Sequence, residues 1–332
     1  MTFEITDRFL APKGWRTHSF VNPETGHKIH YGSVFPQRDE PPSAVIVCLG
    51  GLSEFAEKYY ELAHDMLDRG YAFWFIDWQY QGRSGRLANK PQRRHSDGFD
   101  ADVSDLHKLV ADYVKPSSVH PDRGRIPMIM LAHSMGANIG MQFLAKYPKF
   151  FDAAAFSAPL LGIYNFIWPL KLLAFFIHPL LPIVGKLYVF GGSDWRETSR
   201  SSNGSDKFSH DGVRDALHNY WSKEYPELQV GSVTFGWVIK ALQSCTRLTH
   251  PDFAGNIQIP VLMATAGDDQ IVDNAPIRLV AGRLTKGTFL EIPGAHHEIL
   301  MEKDEYRNAF LNAFDKMVKE NNIATLENLK PF

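Results

Sequence analysis

Residues 127–147 read Pro-Met-Ile-Met-Leu-Ala-His-Ser-Met-Gly-Ala-Asn-Ile-Gly-Met-Gln-Phe-Leu-Ala-Lys-Tyr. The apolar run Met128–Leu131 stops at Ala132-His133-Ser134-Met135-Gly136, and a helical pattern begins at once. That is strand, sharp turn, helix, with a serine at the apex, the context a nucleophile elbow requires. The positions two before and two after the serine must be small, because larger side chains would collide with neighbouring backbone. The strained turn then lifts Ser134 Oγ out of the sheet toward the helix N-terminus. Ala132 stands where the first glycine of such elbows is usual. The five-residue pattern alone is unspecific, and a glycine-lined β–α turn with an inert serine is the bland reading. The apolar strand before it and the helix after it favour the nucleophile.

Outward from this stretch the chain alternates. His27–Phe35, Ala44–Leu49, Tyr71–Ile76, Asp152–Ser157, Val261–Ala266 and Thr288–Ile292 read as strands. Phe55–Arg69, Phe99–Val114, Ala275–Leu284 and Asp304–Lys319 read as helices. Such alternation implies an α/β fold: a mostly parallel central sheet with helices on both faces. Residues 158–250 break the rhythm and read as a helical insertion, with helices expected over Asp215–Tyr225 and Val233–Leu248. The expected organisation is a core of 1–157 and 251–332 with an inserted helical cap, 158–250. Leu160–Phe190 is rich in Leu, Ile, Phe, Trp and Pro. Pro169, Pro179, Pro182, Lys171, His178 and Lys186 leave it no clean span of about 18 apolar residues, so a membrane-spanning reading fails.

The 332 residues carry 35 Lys+Arg against 37 Asp+Glu, a net charge of −2 that offers no basic field for nucleic acid. Cys48 and Cys245 are the two cysteines, far apart and without a disulfide pattern, which points to a reducing compartment, the cytoplasm. Met1–Leu10 holds Glu4, Asp7 and Arg8 and no long apolar run, unlike a secretory signal. No Cys/His cluster has metal-ligand spacing, so neither metal nor organic cofactor is expected. The basic stretch Arg83, Arg86, Lys90, Arg93, Arg94 and His95 reads as a solvated loop face, with attraction to anionic lipid headgroups as a second reading.

A serine hydroxyl needs a base, and the base needs an orienting carboxylate. In α/β hydrolases these follow the serine in the order acid, then histidine, at the ends of later strands. Val261–Ala266 ends in Gly-Asp-Asp-Gln-Ile-Val-Asp (267–273), which offers Asp268, Asp269 and Asp273. Thr288–Ile292 ends in Pro-Gly-Ala-His-His-Glu (293–298), which offers His296 and His297. An oxyanion needs two backbone N–H donors. Met135, next to the serine, is one, and the Gly50-Gly51 loop after Ala44–Leu49 supplies the other.

From about Leu49 to about Phe314 the sequence resembles the cap-bearing α/β-hydrolases that include bacterial lysophospholipases and monoacylglycerol lipases. The segments that carry the resemblance are Leu49–Glu54, Asp77–Arg86, the Ser134 elbow, Gly267–Val272, Gly294–Asp304 and, in the insertion, Pro226–Gly231 with Thr234 and Trp237. The resemblance implies Asp269 as the acid, His297 as the base and Leu52 as the second oxyanion donor. It leaves Asp273 to cap a helix, and Glu54, Asp77 and the Gly82–Gly85 loop to brace backbone near the site. The sequence departs from the pattern at Ala132 and at Gly50, where relatives usually have histidine.

The expected activity is hydrolysis of the acyl ester of single-chain lipids through an acyl-enzyme. The apolar insertion is the argument for lipid, with Trp168, Phe175 and Phe176 as candidate substrate contacts and a peripheral membrane contact as a further role. The rival readings are a small-ester, lactone or peptide hydrolase on the same triad, and a catalytically silent hydrolase-like binding protein. The oligomeric state is left open.

Overall fold

The computed structural model describes residues 5–37, 40–120, 124–165, 176–200 and 207–324, so Trp168 and Phe175 lie outside the described residues. In chain order the strands are β1 (Arg16–Val21), β2 (Lys28–Val34), β3 (Val45–Leu49), β4 (Ala72–Asp77), β5 (Val119–His120), β6 (Gly124–Arg125), β7 (Met128–His133), β8 (Ala153–Ser157), β9 (Val261–Ala266) and β10 (Gly287–Ile292). β5 and β6 pair only with each other. The rest form one sheet in the order β1-β2-β4-β3-β7-β8-β9-β10. Pairing is antiparallel for β1·β2 and β2·β4 and parallel from β4 onward.

Every residue of β3, β4, β7, β8 and β9 is buried. Parallel strands covered by helices on both faces have that pattern, and it explains their continuous apolar sequences. β1 is the opposite case. It lies at the sheet edge with all but Phe20 exposed, and its sequence Arg-Thr-His-Ser-Phe-Val carries no apolar periodicity to announce it.

After β3 the chain adds β4 on one side of the strand, and later β7 on the other. The strand order reverses between β3 and β7, and a crevice opens at the carboxyl ends of strands flanking such a point. The elbow follows β7, the aspartate segment β9 and the histidine segment β10, so one edge of the sheet collects all three.

Between β8 and β9 the described residues contribute no strand to the sheet. They include short turns at His178–Leu180 and Leu181–Val184 and two longer helices, Gly212–Glu224 and Phe235–Leu248. Asp211 caps the first by accepting from Val213 and Arg214 N–H, and Thr234 caps the second by accepting from Trp237 N–H. Helix Gly212–Glu224 attaches to the rest through Phe9, Phe55, Tyr60, Leu217, Trp221 and Leu228. No described helix is long and apolar enough to cross a membrane.

Candidate active site

Ser134 ends the elbow at φ +50°, in the left-handed region that a serine rarely occupies. The turn is held by packing that only a glycine permits. A Cβ at Gly136 would lie 2.3 Å from the Leu49 carbonyl oxygen and 2.5 Å from that of Gly50. Helix Ser134–Lys146 therefore sits directly on the end of β3, and Ser134 meets the loop that follows.

Asp269 Oδ1 accepts from the N–H groups of Ile271 (2.8 Å) and Val272 (2.9 Å), which fixes the carboxylate. Its Oδ2 is 2.7 Å from His297 Nδ1. His297 Nε2 is 2.9 Å from Ser134 Oγ. All three residues are buried. Burial alone raises the Asp269 carboxyl, but His297 and the two backbone donors outweigh it and hold the group below its ordinary range. An ionised Asp269 only accepts, so His297 carries its proton on Nδ1 and turns a lone pair on Nε2 toward the serine hydroxyl. Of the competing residues, Asp268 is exposed, Asp273 caps helix Asn274–Ala281, and His296 packs its ring on His210 at 3.7 Å.

Leu52 lies in a loop pinned from several sides. Trp78 Nε1 donates to Gly50 O (2.8 Å), and Glu54 Oε2 accepts from Gly51 N. Gln81 Nε2 donates to the carbonyls of Gly51 (2.9 Å) and Glu54 (2.8 Å), while its Oε1 accepts from Ser53 N (3.0 Å). In a trans peptide the C=O and the next N–H point opposite ways. Holding Gly51 O on Gln81 therefore turns the Leu52 N–H to the other side. Arg94 Nε donates to Gln81 Oε1 (2.8 Å), which dictates which end of the amide faces the loop. Another Arg94 nitrogen, and Trp237 Nε1, reach Met135 Sδ at 3.3 and 3.4 Å. Among the described residues no acceptor takes the N–H of Leu52 or Met135. A side chain at Gly50 would meet the Phe75 ring at 2.7 Å, so the glycine goes with that aromatic residue.

Of the basic stretch only Lys90 is exposed as expected; the others are buried or half-buried. Arg94 is 1% exposed, and Arg86 donates to the carbonyls of Tyr80, Gly82, Glu227 and Gln229. Arg83 pairs with Glu57 and lies over the Tyr225 ring. Side chains that read as a charged surface tie the loop after β4 to the insertion. Asp77 braces the same loop by accepting from the N–H groups of Ala56 and Arg83.

A cavity of about 360 Å³ opens over Ser134. Leu160, Ile163, Val230, Val233, Trp237 and Ile271 form an apolar wall, and Ser53, Glu54, Arg200, His218 and Glu298 a polar one. Phe176 does not line it; that side chain is 62% exposed. The polar wall is largely committed to itself. Buried Lys58 bridges Glu54 (2.8 Å) and Glu298 (2.9 Å), and Arg200 forks onto Glu298. The charges of Arg200 and Lys58 overcome the burial of Glu298 and hold its carboxyl well below the usual range. Burial pushes His133, whose ring is 4.8 Å from that of His297, down to about 4, so it stays neutral beside it.

Sequence reading missed Gln81, Arg94 and His218, whose partners lie far along the chain. It also missed that the fold gathers His210, His296 and Glu302, each with a potential metal-ligating atom within 4.8 Å of the others. Glu302 already accepts from the N–H groups of His296, His210 and Lys303 and from the His210 ring. That makes it a brace beneath the histidine loop.

The model of the family described as "Serine aminopeptidase, S33" matches residues 40–304. Lysophospholipase L2 of Escherichia coli strain K12 is 32% identical over 282 residues, covering 81% of this chain and 78% of that protein. Monoacylglycerol lipase of Mycolicibacterium smegmatis is 26% identical over 290 residues, covering 87% and 92%. Among solved structures, a soluble variant of monoglyceride lipase from Saccharomyces cerevisiae with a substrate analog superposes with TM-score 0.71 at 15% identity, covering 95% of this chain and 99% of that one. A thermostable carboxyl esterase from Bacillus coagulans with glycerol gives 0.72 at 17%, covering 95% and 100%. At those identities the structures speak for the fold alone.

Proposed function

This chain belongs to the serine aminopeptidase S33 family of α/β-hydrolases, and from that premise we propose that it cleaves the acyl ester of single-chain lipids, the class that lysophospholipids and monoacylglycerols share. The observation that carries the reading is the hydrogen-bonded line Asp269–His297–Ser134 opening onto a cavity with an apolar wall.

Ser134 Oγ attacks the ester carbonyl carbon while His297 Nε2 takes the hydroxyl proton. The carbonyl π electrons move onto oxygen, which the N–H groups of Leu52 and Met135 receive. As the tetrahedral species collapses, the bond to the alcohol oxygen breaks and His297 returns the proton to that oxygen. The alcohol leaves and an acyl-serine remains. Water, deprotonated by the same imidazole, attacks the acyl carbon, and Ser134 regains its proton as the fatty acid departs. Asp269 keeps the imidazole in the productive tautomer and stabilises its cation. Every step has a protein group to carry it, with no metal or organic cofactor assigned a part.

The acyl chain goes to the apolar wall, where each buried methylene is worth about 0.8 kcal/mol. Residues 158–250 serve as the cap that supplies much of that wall. Ile183 and Phe190, 80% and 81% exposed, stand with exposed Phe176, Leu180 and Leu187 in one stretch of sequence, 176–190, and supply a peripheral contact with lipid. The family's name raises a peptide reading. An aminopeptidase needs a free carboxylate for the substrate ammonium; Glu54 and Glu298 in this cavity are already bound to Lys58 and Arg200, and Asp194, also in its lining, accepts from the Tyr188 hydroxyl. Turnover of amino-acid anilides decides between the two readings.

The test is labelling by a fluorophosphonate together with turnover of laurate esters and of amino-acid p-nitroanilides. Labelling at Ser134 with turnover of the laurate esters is expected. Turnover of the anilides alone would overturn the lipid reading, and absence of labelling would overturn the nucleophile.

A further inference from the structure

His218 belongs to the polar wall, and its ring makes no hydrogen bond among the described residues. It sits on helix Gly212–Glu224, 8% exposed, with its ring 5.4 Å from that of Phe55, and it lines the same cavity as Ser134. Its Nδ1 is buried without a hydrogen-bond partner, and among the described residues neither ring nitrogen is engaged. An unpaired imidazole is costly in a folded protein unless something else supplies a partner, and Nε2 is the ring nitrogen that a molecule in the cavity can reach. The neighbours do not supply it. Glu54 accepts from Gly51 N, Tyr59 and Lys58, and Glu298 accepts from Lys58 and Arg200.

Burial, and then the charges of Arg200 and Lys58, keep the His218 imidazole neutral. A neutral imidazole offers one donor and one acceptor, as does an alcohol hydroxyl. A quaternary ammonium neither donates nor accepts, and an ionised phosphate matches only a ring nitrogen that carries its proton, whereas a hydroxyl pairs with whichever tautomer faces the cavity. The position also selects a half of the substrate. His297 must hand its proton to the departing alcohol, so the alcohol lies on the His297–Glu298 side, where the wall is polar, and the acyl chain on the other.

We propose that His218 binds a free hydroxyl of the substrate's alcohol half, the glycerol hydroxyl beside the ester that monoacylglycerols and lysophospholipids share. The proposal rests on the ester-hydrolase reading and gives it an alcohol-side specificity residue. It makes the cap a reader of the head group as well as a cover for the acyl chain.

The experiment pairs a change in the protein with a change in the substrate. Wild type, His218→Phe and His218→Gln are assayed on 1-monolauroylglycerol and on 3-hydroxypropyl laurate, which lacks the hydroxyl next to the ester carbon. In wild type kcat/KM is expected to favour the glycerol ester by about tenfold. His218→Phe should bring the ratio of the two close to one, and His218→Gln, which keeps a donor and an acceptor, should restore part of it. Equal kcat/KM on the two esters in wild type overturns the proposal, whether or not the Phe variant folds. An unchanged ratio in a stably folded His218→Phe overturns it as well. 1-Lauroyl-lysophosphatidylcholine, assayed alongside, separates the sources. A loss on both glycerol lipids or on monolauroylglycerol alone supports the hydroxyl, and a loss on the lysophospholipid alone means the ring reads phosphocholine and sinks it. Wild type inactive on every laurate ester would overturn the ester-hydrolase reading itself, and the role of His218 with it.

Discussion

A positive φ at Ser134 is maintained against a cost of order 1–3 kcal/mol, because the turn it makes brings Oγ within 2.9 Å of His297. Ser134→Ala is expected to fold and to lose at least a thousandfold in kcat, read by laurate-ester turnover beside a melting curve. Asp269→Asn should lose a comparable factor, since an amide no longer enforces the Nδ1 tautomer. Asp268→Asn, at an exposed position, should stay within about twofold; the reverse order would move the acid. Gln81 makes a different prediction, because it touches no reacting atom. Gln81→Leu frees the Gly51 peptide, so kcat should fall about 10- to 100-fold with KM little changed. A loss in KM alone would mean that the clamp shapes substrate binding instead. Residues at this scale divided sharply in legibility. Ser134 and the Asp and His segments stand at strand ends in a fixed order, a local pattern open to reading. Gln81, Arg94 and His218 act through partners distant in the chain. Arg94 was hidden further by five basic neighbours that made it look like surface.

Elements were legible where both faces are covered and hard to read where one face meets water. β3 and β9, largely apolar, match their expected bounds within a residue, and β7 runs two residues beyond the expected end at Leu131, whereas exposed β1 was passed over. Helix Gly212–Glu224 begins three residues before its expected start because its cap is a side chain, Asp211, rather than an apolar repeat. Contacts between elements carry two predictions. Helix Ser134–Lys146 approaches β3 at Gly136 so closely that Gly136→Ala must push backbone apart, at about 1–3 kcal/mol or more. Melting temperature and kcat should fall together, because Leu49 and Gly50 lead into the Leu52 loop. His27, just before β2, sits between Asp105 (2.5 Å), on helix Phe99–Leu109, and Asp97 (3.1 Å). Burial draws its pKa down, but the two carboxylates prevail and push it up to about 10. A pKa raised on folding stabilises fully below the unfolded value of about 6.5 and is lost as pH rises through the folded one. His27→Gln should therefore lower the melting temperature most near pH 6, with the gap closing toward pH 10. A gap that widens with pH would show that the ring is held neutral.

At the scale of the whole molecule, core and insertion together supply both the apolar and the polar lining of one cavity. On a ladder of p-nitrophenyl esters from butyrate to laurate, kcat/KM should rise by up to about fourfold per methylene. Ile163→Asn should flatten the rise while butyrate cleavage persists; equal losses at every length, with a lower melting temperature, would place Ile163 in a structural role only. The sheet that joins these walls has a further property. β8 and β9 lie side by side, Ala154 opposite Val261 through Ser157 opposite Ala264, although the whole of 158–260 is strung between them. Pairing across so long an interval comes late in folding. On the ribosome, the serine emerges with its elbow well before the acid and the base exist. A nascent chain halted before Val261 should bind no fluorophosphonate, and the cell's own lipids meet no half-built esterase during translation.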